Sequence, residues 1–289
     1  MAKTDAPTTL ALVGVAAGYF GEKGVESPRL EAEVLLAHVL KVDRVGLYLQ
    51  FDKPLTPEEI SRYRELVRRR AGGEPTAYLI GSREFWSLSF AVSPAVLIPR
   101  PDTELLVETA LSLPGDALQI AELGVGSGAP IISILSERKN WLGCATDISG
   151  EALEIAALNA KTHGVGDRLS LFNGDLFAPL AGRRFDLIIT NPPYIPTGVI
   201  RTLAREVAAF EPHLALDGGT DGLDLIRRIV AETPGYLKPG GHLLFEFGAG
   251  QEGAIQSMLE NSGGFVEIRI LDDLARTPRA ALLKIEGRA

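Results

Sequence analysis

Apolar residues recur every three or four positions from residue 8 to residue 71, so the chain is expected to open as a set of amphipathic helices. In "SPRLEAEVLLAHVL", Ser27 stands as an N-cap and Pro28 as the first helical residue, with Leu30, Val34 and Ala37 on one face. In "TPEEISRYRELV", Thr56, Pro57 and Glu59 spell a capping box: Thr56 reaches forward and Glu59 reaches back to it. Ile60, Tyr63 and Val67 continue the apolar stripe. "AGGEP" breaks the pattern at residues 71–75. The stretch "AYLIGSREFWSLSFAVSPAVLIPR" is rich in β-formers and reads as a hairpin turning at Gly81-Ser82, with Trp86 packed in it as core. "PRPDTELLVETAL" then opens a further helix, with Asp102 or Thr103 at its positive end.

From residue 118 the period changes. Apolar strands alternate with amphipathic helices: "LQIAEL", "IISILSE", "LGCATD", "EALEIAALNAK", "RLSLFN", "FDLIIT". That alternation predicts βαβ units, hence an α/β fold with a mostly parallel sheet covered by helices on both faces. "GHLLFEFG" adds a strand, and "FVEIRIL" and "AALLKIE" close the chain as two more. Three segments are expected: a helical domain at 1–74, a β-hairpin linker at 75–98 and an α/β domain at 99–289.

The 289 residues are 46% apolar and 23% charged, as in ordinary globular enzymes. No apolar run approaches the roughly 18 residues that span a bilayer. The N-terminus, Met1 to Thr9, is polar and lacks a secretory layout, so no membrane or export role is expected. Cys144 is the single cysteine, which rules out an intrachain disulfide and fits a reducing, cytoplasmic setting. His38, His163, His213 and His242 form no zinc spacing with it, so no metal is expected. The segment up to residue 85 is neutral, with 12 cationic and 12 anionic residues; the remaining 17 and 25 carry the whole net charge of −8. Such an acidic larger segment is a poor general binder of phosphate backbones, so no stable nucleic-acid binding is expected. "RYRELVRRR", with Arg62, Arg64, Arg68, Arg69 and Arg70, is a local exception and reads first as a solvated helix end.

Candidate chemistry gathers at the strand tips. "IAELGVGSGAP" sets Gly124, Val125, Gly126, Ser127 and Gly128 between the first strand of the α/β segment and a helix. Glycines there let a ligand approach the backbone, and the helix start offers free N–H groups. Asp147 ends the next strand, 23 residues past Gly124, a position suited to a ribose diol. In "NGDLF", Asp175 can accept from an adenine amino group, with Leu176 and Phe177 lining the ring faces. Together these tips predict a nucleoside ligand at the carboxyl edge of the sheet, which a nicotinamide dehydrogenase would share.

The fourth tip separates the two readings. "FDLIITNPPYIP" runs a buried strand into Asn191, Pro192, Pro193 and Tyr194. Neither proline has an N–H, and Asn191, preceding a proline, is driven to an extended conformation. The loop therefore has acceptors to spare. The Asn191 side-chain oxygen and the Pro192 carbonyl, beside the Tyr194 ring, suit a planar group with two N–H donors, either a carboxamide or a base amino group. A nucleoside cofactor beside such a trap implies group transfer to nitrogen, for which a sulfonium methyl donor fits best.

On "LIPRPDTELLVE", "ELGVGSG", "TDISGEALEIAALNA", "GDLF", "FDLIITNPPYIP" and "EPHLALDGGTDGLDLIRRI", the chain resembles the S-adenosylmethionine-dependent methyltransferases with a seven-stranded Rossmann-like sheet. More closely it resembles the protein-(glutamine-N(5)) methyltransferases of peptide-chain release factors, the HemK/PrmC family. The resemblance covers nearly the whole chain. It implies methylation of the glutamine in a Gly-Gly-Gln motif, a transferase step tied to translation termination, with S-adenosylhomocysteine as product. It also implies that Gly124 to Gly128, Asp147, Asp175, Leu176 and Asn191 hold the cofactor, that Asn191 to Tyr194 hold the glutamine, and that the helical domain grips the release factor. A monomer is expected. A glutamine methyltransferase of a ribosomal protein and an amino-methyltransferase of DNA or RNA bases are the alternatives. Val125, Pro130, Leu176 and the glycine-free "DDLARTPRA" depart from the family's usual pattern.

Overall fold

A computed structural model describes residues 7–287; the start of the polar N-terminal stretch, Met1 to Ala6, lies outside the described residues. The described residues divide into two compact units, one comprising 7–81 with 204–210 and the other 82–203 with 211–287.

The first unit is helical: α1 (Thr9–Glu22), α2 (Pro28–Leu40), α3 (Arg44–Leu49), α4 (Pro57–Ala71), α5 (Thr76–Ile80) and α9 (Arg205–Phe210). The capping box at α4 forms in both directions, Glu59 N–H to Thr56 Oγ1 at 3.2 Å and Thr56 N–H to Glu59 Oε2 at 2.8 Å. Ser27 does stand before α2, but at φ +47° with no side-chain cap bond. The buried face of α2 is wider than the expected one, with Ala37 buried as expected and Val34 half-buried. Ala32, Leu35, Leu36 and Val39 point into the core and Leu30 is exposed, because α2 packs on both α1 and α4 and needs a wider stripe than three residues mark. Phe20, Leu35, Leu36, Leu47 and Tyr63 fill this core, and the Tyr63 hydroxyl donates to the Ala32 carbonyl at 3.0 Å. The arginine-rich end of α4 is not uniformly solvated. Arg70 is buried and bridges Glu31 at 2.7 Å and Glu206 at 2.8 Å, while Arg68 and Arg69 pair with Glu65 and Glu74.

The hairpin differs from its sequence reading. "TAYLI" forms α5, and Gly81 is its left-handed C-cap at φ +77°. The strands are β1 (Ser82–Phe85) and β2 (Leu88–Ala91), turning at Trp86-Ser87, where both residues take positive φ. A glycine after a short helix and a glycine in a hairpin turn look alike in sequence, and only the hydrogen bond from Gly81 N–H to the Ala77 carbonyl tells them apart. Phe85 and Phe90 point into the core of the second unit, and Trp86 packs against it only partly buried.

The second unit is built on β3 (Gln119–Leu123), β4 (Leu142–Asp147), β5 (Leu169–Asn173), β6 (Phe185–Thr190), β7 (Leu237–Glu246), β8 (Phe265–Asp272) and β9 (Pro278–Ile285). They form one seven-stranded sheet in the order β5-β4-β3-β6-β7-β9-β8. All pairings are parallel except those of β9, which runs antiparallel to β7 and β8. α6 (Glu104–Ser112), α7 (Ala129–Glu137), α8 (Gly150–Thr162), α10 (Asp224–Glu232) and α11 (Glu252–Asn261) cover it. The pleat divides the strands between two cores: Leu187, Ile189, Leu244 and Leu282 face one layer, and Ile188, Leu243, Phe245 and Leu283 the other. Burial on both faces is why these strands read as continuous apolar runs. The chain builds outward from β3 through β4 and β5, then returns to β6 on the other side of β3. That reversal opens a crevice at the carboxyl ends of β3 and β6.

Candidate active site

Four strand tips, those of β3 to β6, bring polar groups to this crevice. At the tip of β4, the Thr146 carbonyl accepts from both Gly124 and Val125 N–H, at 2.9 and 3.0 Å. Asp147 continues the clamp: Oδ2 accepts from Gly126 N–H and Oδ1 from Ser149 N–H, each at 2.9 Å. A carboxylate has about four acceptor sites, so Asp147 keeps capacity for a diol after fixing the glycine loop. Gly124 and Gly126 hold φ of +69° and +52°, and a Cβ added to either would meet nothing within 4 Å. They are glycines for their backbone conformation, and they front open space. Gly128 caps α7 at φ +80°.

The crevice is a cavity of about 490 Å³, within the range of small-molecule sites. Gly124 to Ser127, Asp147, Asp175, Leu176, Asn191 and Pro193 line it, so the nucleoside-site and amide-loop candidates share one cavity. Gly128 lies behind it as the helix cap; Pro192 is buried, and neither Pro192 nor Tyr194 belongs to the lining. Asp175 is already engaged, with Arg228 of α10 at 2.7 Å from Oδ2. Leu176 is buried at φ +44°, an uncommon conformation for a leucine.

Several lining residues carried no role in the sequence reading. Glu122, on β3, is buried; Oε2 accepts from Ile131 N–H at 3.1 Å. Burial, aided by the Asp147 charge, pushes its carboxyl well above the usual range, against the pull of that one hydrogen bond. Its signal was an acid inside an apolar strand. Pro94 to Leu97, Pro99, Arg100 and Thr103 form another wall. Buried Glu211 fixes that wall by accepting from Ile98 N–H at 3.2 Å and from the Arg100 guanidinium. Asn159 of α8 exchanges bonds with Ala91 and donates to the Ser127 carbonyl at 2.8 Å, tying β2 to the glycine loop. Glu211 and Asn159 lie tens of residues from their partners, so no local pattern marks them.

The amide loop is held from behind. Thr190, the last residue of β6, donates to the Leu123 carbonyl at 2.8 Å. Asn191 Nδ2 donates to Thr103 Oγ1 at 3.0 Å, which turns the side-chain oxygen the other way. The Tyr194 hydroxyl donates to Glu246 Oε1 at 3.0 Å, and its own carbonyl accepts from Gln251 Nε2 at 2.9 Å. Burial first, then the Glu246 charge, drives the Tyr194 hydroxyl far above its usual pKa, so it stays protonated. "DGGTDG" backs the loop: a Cβ on Gly218 would lie 2.7 Å from the Pro193 carbonyl, and one on Gly222, at φ +80°, would strike the Tyr194 carbonyl. Gly222→Ala is therefore expected to cost about 1–3 kcal/mol in backbone strain alone and to lower turnover at least tenfold. Urea unfolding and initial rates on the same preparation check both.

This sheet order, with an antiparallel seventh strand and a nucleoside-sized cavity at its carboxyl edge, defines a Rossmann-like S-adenosylmethionine-dependent methyltransferase. A methyltransferase from Pyrococcus furiosus has the same fold, with a TM-score of 0.53 at 19% identity over 79% of this chain and 100% of that one. Residues 12–81 match the family described as PrmC N-terminal domain, and residues 101–218 the methyltransferase small domain. A release factor glutamine methyltransferase of Geobacter sulfurreducens is 48% identical over 85% of this chain and 86% of its own length. One of Moorella thermoacetica is 42% identical, over 90% and 92%. The chain belongs to the release factor glutamine methyltransferase family.

Proposed function

We propose that this chain transfers a methyl group from S-adenosylmethionine to the side-chain amide nitrogen of the glutamine in a release factor's Gly-Gly-Gln motif. The observation that carries this reading is Asn191: its amide nitrogen is tied back to Thr103, and its side chain lines the same cavity as Asp147 and the glycine loop. S-adenosylmethionine, when bound, supplies an electrophilic methyl group on a sulfonium. The cavity suits it: Asp147 has spare acceptors for the ribose hydroxyls, Asp175 and Leu176 line the same cavity, and Glu122 adds a buried carboxyl group to its wall. Gly124 and Gly126 leave room for close approach.

An amide nitrogen is a poor nucleophile because its lone pair is delocalised. Asn191 Oδ1 and the Pro192 carbonyl would accept its two hydrogens and stabilise the positive charge that develops on nitrogen. Such contacts strengthen in the transition state and need no strong base. Among the described residues, no hydrogen bond ends on the Pro192 carbonyl, so no protein donor competes for it. Pro193 lines the cavity, and Tyr194 holds the loop from behind. The nitrogen loses one proton as it gains the methyl group. Labelling a release factor, a ribosomal protein mixture and DNA with methyl-tritiated cofactor tests the reading. Label on the release factor glutamine supports it; label on either of the others alone overturns it.

The helical unit grips the protein substrate in this reading. Val45, Tyr48 and Leu49 share a face of α3, and with Phe51 they are exposed; Leu49 is 79% and Phe51 53% accessible. A second contact of this kind tethers the partner and raises the effective concentration of its glutamine. The double change Leu49→Ser, Phe51→Ser is expected to lower kcat/KM for the intact release factor about tenfold, equal to 1.4 kcal/mol, and to leave a short Gly-Gly-Gln peptide unaffected. Equal loss on both substrates would take recognition away from this face. In this reading the enzyme acts as a monomer in the cytoplasm, and its net charge of −8 disfavours stable nucleic-acid binding. No described helix is long and apolar enough to cross a membrane.

A further inference from the structure

Glu246 ends β7 almost wholly buried, directly behind the amide loop. A buried carboxyl is costly unless it is hydrogen-bonded, and no role has yet been found for this one. Tyr194 donates to Oε1 at 3.0 Å, and the Thr103 hydroxyl stands beside the carboxyl. Oε2 has no hydrogen-bond partner among the described residues, and the Thr103 hydroxyl proton, free to rotate, is the donor placed to satisfy it. Thr103 in turn accepts from Asn191 Nδ2 at 3.0 Å. The four side chains thus form a chain, Tyr194 to Glu246 to Thr103 to Asn191, drawn from the loop after β6, the tip of β7 and the turn before α6.

Hydrogen-bond polarity makes this chain directional. An ionised carboxylate can only accept. A hydroxyl has one proton, so once Thr103 donates it to Glu246, Thr103 offers Asn191 only lone pairs. The Asn191 amide must then present its NH2 to Thr103 and its oxygen to the cavity. If residue 246 carries a proton, or is replaced by an amide, it can donate to Thr103. Thr103 is then free to donate to Asn191, and the amide can turn over. The cavity would meet a donor where the substrate's own NH2 requires an acceptor.

We propose that Glu246, acting through Thr103, is a positioning residue that fixes the amide polarity of Asn191 and so sets the trap for the substrate carboxamide. This rests on the reading of Asn191 as the amide acceptor. Tyr194 is held by the same carboxylate, so both ends of the loop are oriented by one buried charge.

Glu246 is faced by Tyr194 and Thr103, by Asp102 from the segment before α6, and by Arg279 from β9. Burial raises its carboxyl to about 7, the bonds from Thr103 and Tyr194 and the Arg279 charge opposing, the Asp102 charge adding to it. The ionised form prevails above that value, so kcat should rise with pH through about 7 and level off. Glu246→Gln preserves shape and removes a buried charge, so the fold should survive.

The experiment uses the full chain with an intact release factor as methyl acceptor. Glu246→Gln and Thr103→Val should each lower kcat about tenfold or more, with KM and S-adenosylhomocysteine affinity within about twofold. The acidic limb assigned to Glu246 should vanish in Glu246→Gln, and Thr103→Ser should restore kcat to within about threefold of the parent. Independently of any substrate, the Asn191 side-chain amide resonance should titrate near 7 in the parent protein and stay flat in Glu246→Gln. Parental kcat in folded Glu246→Gln and Thr103→Val, or an Asn191 resonance indifferent to both, overturns the proposal. If the parent protein fails to label the release factor while that resonance behaves as expected, the substrate reading fails and the positioning role stands.

Discussion

Asn191→Ala is expected to lower kcat by about 10² or more while S-adenosylhomocysteine still binds within a few-fold of the parent. The size follows from where the contact acts. The Asn191 oxygen gains strength only as the substrate nitrogen becomes cationic, so its loss appears in kcat rather than in ground-state binding. Losing one preorganised group of this kind costs on the order of 10²–10³ in rate. The fold should survive, because the change frees only one hydroxyl, that of Thr103, which still stands beside the Glu246 carboxyl. Asn191→Asp makes a sharper comparison. It keeps an acceptor toward the cavity but loses the donor to Thr103, and it adds a charge beside Glu246. Turnover of the alanine variant within threefold of the parent, at saturating cofactor and substrate, would place the amide trap elsewhere.

Asp147→Ala is expected to weaken S-adenosylhomocysteine binding about 10- to 100-fold, the scale of a lost charged hydrogen-bond partner. Two effects add. The carboxylate would no longer meet the ribose hydroxyls, and the N–H groups of Gly126 and Ser149 would lose their acceptor. The second effect loosens the glycine loop itself, so the loss should approach the upper end of that range. Asp147→Asn separates the two: it keeps one acceptor oxygen but cannot hold both N–H groups and a diol. Calorimetric titration of the folded variants gives the answer, and unchanged affinity in the alanine variant would remove Asp147 from the site.

The Asp147 prediction could be framed from the sequence alone, because its evidence is local. An acid at a strand tip 23 residues past a glycine is legible as spacing. So is a strand that runs into Asn191-Pro192-Pro193. Helices and strands were legible where period decided them, as in the capping box at Thr56 and the double-sided runs of β6 and β7. Local sequence is ambiguous where one residue type serves two geometries. Gly81 ends a helix instead of turning a hairpin, and Leu30 lies outside the face that α1 and α4 bury.

What the sequence determined by itself is the class of chemistry: the α/β alternation, the glycine loop, the acid beside it, and an acceptor-rich loop with no N–H groups at its prolines. These follow from chain stiffness, pleat and periodicity, which act over a few residues. What only the tertiary structure decided is the support for that chemistry. Arg228 meets Asp175 across 53 residues, Glu211 meets Arg100 across 111, and Thr103 meets Asn191 across 88. Glu246 gains its raised carboxyl only because β7 ends in a dry place behind the loop. Burial and the direction of a hydrogen bond depend on which distant segment arrives opposite a side chain, and no local pattern of residues carries that information.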